Sequence, residues 1–208
     1  LDKRDRVIVS KGWCAATVYA LLRRKGILTD KDLATFGQPD GLIGLLERPT
    51  RGVEASTGSM GHGLPIGVGM ALKTRLTPKE RKYRVFVVMS DGEMITGTTW
   101  EAAALAAHHR LDNLVVIVDN NKICATGRTK NNMNVEPLQL KWNAFGWMVR
   151  HVDGHDPDQL FLAIENRGSR RRKPRKTPRQ RFPRPSAYGP WLAGRPLRTL
   201  PARQAWRM

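Results

Sequence analysis

Two short apolar runs separated by an alanine-rich segment dominate the middle of the chain. Residues 85–89 (VFVVM) are continuous and largely β-branched, which predicts a buried strand of a parallel sheet. Ser90-Asp91-Gly92 breaks the run. Residues 99–110 are rich in alanine and predict a helix by propensity. Residues 114–118 (LVVIV) predict a second buried strand, ended by Asp119-Asn120-Asn121. Polar, oxygen-bearing side chains therefore stand at the carboxyl ends of both strands, where open α/β sheets bind ligands. Asp91 and Asn121 are hard oxygen donors suited to Mg²⁺, a cation that keeps some water and is often shared with a ligand's phosphates.

The pattern extends on both sides. Val7, Ile8 and Val9 form an apolar stretch, and Ala16, Tyr19, Ala20 and Arg23 fall at helical spacing within 13–25. Gly26 sits where a glycine would stop that helix. Thr29 with Asp30 and Asp32 predicts an N-cap and an acidic first turn for a short helix through Phe36. Residues 37–54 read as loop. Residues 55–69 hold Gly58, Gly61, Gly63, Gly67 and Gly69 among Ser56, Thr57 and Ser59, with a helix growing out of them. Such a segment suits either an anion or cofactor cradle or close helix packing, and composition favours neither. A solvated connection covers 77–81. A helix is predicted from about Val135 to Gly146, a strand over 147–152, and a turn at Asp153-Gly154-His155. A last helix, capped at Asp156-Pro157, runs to about Ile164. Strands alternating with helices predict an α/β fold: a doubly wound, mainly parallel sheet with helices on both faces.

Length and charge sharpen this picture. The 208 residues allow one sizeable domain. The net charge of +18 is unevenly spread: residues 167–208 hold twelve Arg, two Lys and no acid, so they carry +14 and leave an ordinary +4 for residues 1–166. Arg, Pro, Gly and Ala make up 26 of those last 42 residues, which show no periodicity. The boundary at 166/167 is expected to separate a folded domain from a basic tail that is disordered or read from a shifted frame. The tail's charge would also give salt-dependent nucleic-acid binding, although Trp191 and Trp206 are not interleaved as a stacking array. No run of eighteen apolar residues is present, so no membrane span is expected, and the first residues lack the apolar core of a signal peptide. Cys14 and Cys124, without metal-type spacing, fit buried free thiols in a reducing cytoplasm.

Asp91-Gly92, then twenty-seven residues, then Asn120-Asn121 resembles the thiamine diphosphate motif of transketolase-type enzymes. Residues 52–72 (GVEASTGSMGHGLPIGVGMAL) and 127–154 (GRTKNNMNVEPLQLKWNAFGWMVRHVDG) extend the likeness to the N-terminal section, or separate N-terminal subunit, of transketolase over roughly residues 1–166. The resemblance implies thiamine diphosphate and Mg²⁺ as cofactors. Asp91, Asn121 and the backbone carbonyl of Ile123 would be the metal ligands. Gly61, His62, Gly63, Ser90, Asp91, Gly92 and Asn121 would contact the cofactor, with 61–63 along its aminopyrimidine. Glu101 and His62 would be the catalytic candidates, Glu101 within a carboxylate network linking the two sites of a dimer. A partnered glutamate and a helix-start histidine are the plainer readings of these two. His108, His109 and His155 read as structural.

The departures are equally specific. The family histidine after Lys11-Gly12 is Trp13 here, whose bulk would obstruct the site. A second family histidine would fall near Leu45. The family glutamate five residues after Asp91 is Thr96. The resemblance further implies a segment ahead of Leu1 and a separate C-terminal subunit carrying the pyrimidine-binding domain, in a dimer or heterotetramer acting on sugar phosphates. Two functions follow for comparison: an N-terminal subunit for ketol transfer, inactive alone, or a degenerate, non-catalytic fragment of one.

Overall fold

The computed structural model describes residues 4–77 and 83–165. The tail from 167 onward, and every expectation placed on it, lies outside these residues. The described chain forms a three-stranded parallel sheet of β1 (Arg6–Val9), β2 (Val85–Ser90) and β3 (Leu114–Asp119), in that spatial order. The two apolar runs become β2 and β3, each one residue longer than its apolar core and ending on the polar residue beyond it. Pairing runs from Val85↔Leu114 to Ser90↔Asp119, and Val9 lies opposite Val88. The register brings Ser10, Asp91 and Asn120 to one edge of the sheet, the carboxyl edge.

Helix α3 (Gly63–Leu76) connects β1 to β2, and α4 (Gly97–His108) connects β2 to β3. Both crossovers step in the same direction across the sheet, which places both helices on one face. Val85, Val87 and Met89 point at them and are wholly buried, with Leu64, Val68, Ala71 and Ala103 opposite. Burying each large apolar side chain of this set contributes roughly 1.5–3 kcal/mol. Successive strand residues face opposite ways, so Ile8 joins that core while Val9 packs into a second cluster with Ala15, Tyr19 and Leu28. The second cluster belongs to α1 (Ala15–Arg24) and the loops around it. Helix α2 (Asp30–Ala34) opens with a full capping box between Thr29 and Asp32, and ends two residues before the expected Phe36.

The chain beyond β3 is less regular. A two-residue hairpin pairs β4 (Ile123–Cys124) with β5 (Gly127–Arg128), followed by α5 (Thr129–Asn132) and α6 (Leu138–Ala144). The first predicted helix opens with a 3₁₀ turn at Gly12–Cys14, and α6 begins after Pro137 rather than at Val135. The strand expected over 147–152 is not formed. Trp147 instead packs its ring 5.0 Å from that of Trp142 and donates its indole N–H to the Ala103 carbonyl. Side-chain anchoring to α4 and α6 occupies this apolar segment in place of a ladder beside β3. Gly146, at φ 90°, ends α6 as expected, and Asp156 caps α7 (Pro157–Glu165) by accepting the N–H groups of Asp158 and Gln159. No described helix is long and apolar enough to cross a membrane.

Candidate functional site

The site is built where β1, β2 and β3 end. Ser90 closes β2, and its hydroxyl accepts the Gly92 N–H at 3.1 Å, which turns the chain into a 3₁₀ segment (Asp91–Ile95). The cap is therefore Ser90 rather than Asp91, and the Asp91 carboxylate is free for other work. Asp91 is fully buried. Its Oδ2 accepts the backbone N–H of Lys122 at 3.1 Å and faces the Thr129 hydroxyl at 3.3 Å. Among the described residues it meets no cation at ion-pair distance. The Lys11 ammonium acts on it through space rather than in contact, and burying a carboxylate without a contact partner is costly.

The turn after β3 arrives at this carboxylate through Lys122, which takes a left-handed φ of 65°. Asn121 is exposed; its Oδ1 accepts the Ile123 N–H at 2.9 Å and its amide donates to Asp119 at 3.1 Å. A Cβ on Gly92 would stand 2.8 Å from Cβ of Cys124. Gly92 thus makes room for the β4 strand that carries Ile123. Lys122 pairs with Glu136, and this bond, followed by the Leu138 N–H, holds the Glu136 carboxyl down to about 2. Lys11, just past β1, pairs with Asp119. Burial pulls the Lys11 ammonium down, but the Asp119 hydrogen bond and charge outweigh it, so the net shift is upward. The Cys124 thiol is pulled down by hydrogen bonds, first from Thr126.

The glycine-rich turn packs against the same edge. Gly61, at φ 80°, leaves no space for a side chain beside the Thr96 and Thr98 hydroxyls, and Gly63 none beside Ser10. Close packing is thus what both glycines visibly serve. His62 sits between them with its side chain exposed and unused as a cap. Thr96, standing where the resemblance implies a glutamate, gives its hydroxyl to the Glu93 carbonyl at 2.7 Å and lies 2.9 Å from the Thr99 hydroxyl. Glu101 is exposed on α4 and makes no hydrogen bond or ion pair among the described residues. The structure brings Ser90, Asp91, Gly92, Asn121 and Ile123 to one place and leaves Glu101 outside it. Trp13 is 82% exposed, so its indole is not packed into the core. Leu45 lies against Gly58 and against Gly12, the residue before Trp13, and both positions expected to hold histidine are apolar.

Sequence reasoning missed Ser10, Lys11, Glu93 and Thr129. Glu93 is 3% exposed; its Oε1 accepts the Ser10 hydroxyl at 2.7 Å and its Oε2 is buried without a hydrogen bond. Burial raises its carboxyl above the usual range, an effect the Ser10 bond and the nearby backbone of Ser90 and Gly61 moderate. An acid between Gly92 and Met94, in a segment otherwise closing on the core, was the available signal. The other three become visible only through the strand register.

The arrangement fits a divalent cation. It offers one buried carboxylate with no cation in contact, and the Lys122 N–H bond brings the chain carrying Asn121 and Ile123 to it. Among the described residues no three His, Cys, Asp or Glu side chains gather to hold a metal by themselves. A cation here would need further oxygens from a ligand, as Mg²⁺ bound to a diphosphate has.

Comparison with known proteins bears on the same residues. The family "Transketolase, thiamine diphosphate binding domain" matches residues 1–177. A transketolase family protein of Sinorhizobium fredii is 42% identical over 167 residues, covering 79% of this chain and 59% of that one. One subunit of the apulose-4-phosphate transketolase of Phocaeicola vulgatus is 34% identical over 175 residues, covering 83% and 61%. Among solved structures, transketolase from Leishmania mexicana superposes with a TM-score of 0.75 at 32% identity, over 81% of this chain and 27% of that one. The chain spans about three fifths of the length of these two relatives. With a matching family model over most of its length and relatives above 30% identity, the chain belongs to the transketolase N-terminal, thiamine diphosphate-binding family.

Proposed function

We propose that this chain is the N-terminal subunit of a two-part transketolase, binding the diphosphate end of thiamine diphosphate through Mg²⁺. The observation that carries the reading is Asp91: fully buried, without a cation in contact, and held by the Lys122 N–H beside Asn121 and Ile123. Asp91, the Asn121 amide oxygen and the Ile123 carbonyl would hold the metal. Ser90 and Gly92 would shape the turn around the diphosphate, and Gly61, His62 and Gly63 would lie along the aminopyrimidine. Lys11 would stand as a partly buried positive charge at the same edge. When bound, thiamine diphosphate supplies the carbanion chemistry of ketol transfer, and the protein binds and orients it. Relatives that are themselves named as single subunits of transketolases support a separate C-terminal partner carrying the remaining contacts, in a dimer or heterotetramer, with sugar phosphates as substrates. The exposed, unpaired Glu101 is available to a carboxylate network at such an interface. A cytoplasmic location accords with the free thiols.

A second reading is favoured by Thr96 and Trp13: a chain that keeps the cofactor fold without catalysis. Thr96 replaces a titratable carboxylate by a hydroxyl already engaged with Glu93 and Thr99. The test is reconstitution with the C-terminal subunit of a two-subunit relative, thiamine diphosphate and Mg²⁺. Ketol transfer from a ketose phosphate supports the first reading. Cofactor binding with no turnover, and turnover gained on Trp13→His with Thr96→Glu, supports the second.

A further inference from the structure

The geometry points to Glu93 as a positioning residue that fixes the spacing between the glycine-rich turn and the Asp91 turn, an inference that rests on the cofactor reading above. Glu93 links three elements, one of them through Ser10. Its Oε1 receives the Ser10 hydroxyl at 2.7 Å, at the end of β1. That same Ser10 oxygen accepts the Gly63 N–H at 3.1 Å, at the start of α3. The Glu93 carbonyl receives the Thr96 and Thr99 hydroxyls at 2.7 and 3.1 Å, at the start of α4, and the Thr98 hydroxyl reaches back to the Gly61 carbonyl at 3.1 Å.

The order of donation matters. A serine hydroxyl has one proton and can rotate. Giving that proton to Glu93 fixes the rotor and turns a lone pair toward Gly63. Ser10 is fully buried and Gly63 has no room for a side chain against it, so the relay works at contact distance. An apolar side chain in place of Glu93 would fill the volume without desolvating a carboxylate, but it would leave the hydroxyl undirected. Glu93 follows Asp91 by two residues, so the relay ties the turn assigned to the aminopyrimidine to the turn assigned to the metal. A ligand that must reach both binds better when their spacing is set beforehand.

The test uses the full chain and three variants: Ser10→Ala, Glu93→Ala and Glu93→Gln. Hydrogen exchange without ligand reads the Gly61–Gly63 amides against those of α6, and calorimetry with Mg²⁺ reads the Kd for thiamine diphosphate. Ser10→Ala and Glu93→Ala should each speed exchange at 61–63 by about tenfold, leave α6 unchanged and raise Kd by a similar factor. Glu93→Gln, whose amide oxygen still accepts the Ser10 proton, should restore both to within about threefold of the parent. Glu93→Met, which fills a similar volume without an acceptor for Ser10, takes the place of Glu93→Ala if that variant does not fold. Unchanged exchange at 61–63 in Ser10→Ala, or a Gln variant no better than Ala, overturns the inference. A parent chain that binds no thiamine diphosphate defeats the cofactor reading instead, while the exchange result still decides the role of Glu93.

Discussion

The backbone N–H of Lys122 donates to Oδ2 of Asp91 at 3.1 Å, joining the turn after β3 to the turn after β2. Thirty-one positions separate the two residues in the chain. The bond turns two sequence-distant halves of one motif into a single site, and it does so around a carboxylate that no protein cation among the described residues neutralises. The left-handed backbone at Lys122, which costs about 1–2 kcal/mol in a residue other than glycine, is held by this bond and by the side-chain pair with Glu136.

Asp91→Asn should be neutral or stabilising in metal-free buffer. The amide keeps an oxygen for Lys122 and Thr129 while removing a buried charge that has no cation in contact. Urea unfolding of the two proteins measures this. A loss of more than about 1 kcal/mol without metal would contradict the account.

Gly61→Ala should cost about 1–3 kcal/mol. Gly61 is at φ 80°, and a Cβ would collide with the Thr96 and Thr98 hydroxyls. Gly154→Ala is the control, because open space surrounds that position; its effect should stay within about 0.5 kcal/mol. Equal midpoints for the two variants would show that the glycine-rich turn is not packed as described.

Glu136 should contribute an acid-side loss of stability. Its folded carboxyl lies near 2 and its ordinary value is 4.5, so its contribution is complete above about 4.5 and fades as pH falls toward 2. Both partners are substantially exposed, at 50% and 40%, so screening limits the effect to about 1 kcal/mol or less. Glu136→Gln should therefore narrow the difference in urea midpoint between pH 5 and pH 3. An unchanged difference would remove the Lys122–Glu136 pair from the account.

Trp13→Ala should change stability by less than about 0.5 kcal/mol, since the indole is 82% exposed. Thermal unfolding checks this. A larger loss would mean that the indole is buried against the chain in solution.

Much of this site was legible in the sequence because strand–helix–strand periodicity fixes which residues end strands, and strand ends share an edge. Ser90, Asp91 and Asn121 follow from that logic. Glu93 and Ser10 do not, because their partnership depends on the β1–β2 register and on a contact between residues 83 positions apart. The missing strand at 147–152 has the same origin. The segment reads as a strand, but local sequence cannot say whether a ladder or the Trp142 ring and the Ala103 carbonyl will take up Trp147. Similarly, composition could not choose between cradle and packing for Gly61 and Gly63; only the positions of Thr96, Thr98 and Ser10 show what the missing side chains would have met.

Calorimetric titration of thiamine diphosphate with Mg²⁺ into the full chain, repeated with Asp91→Ala, tests the central claim most directly. The account predicts saturable binding that requires the metal and is lost in Asp91→Ala. Mg²⁺-independent binding, or binding that survives Asp91→Ala unchanged, would contradict it.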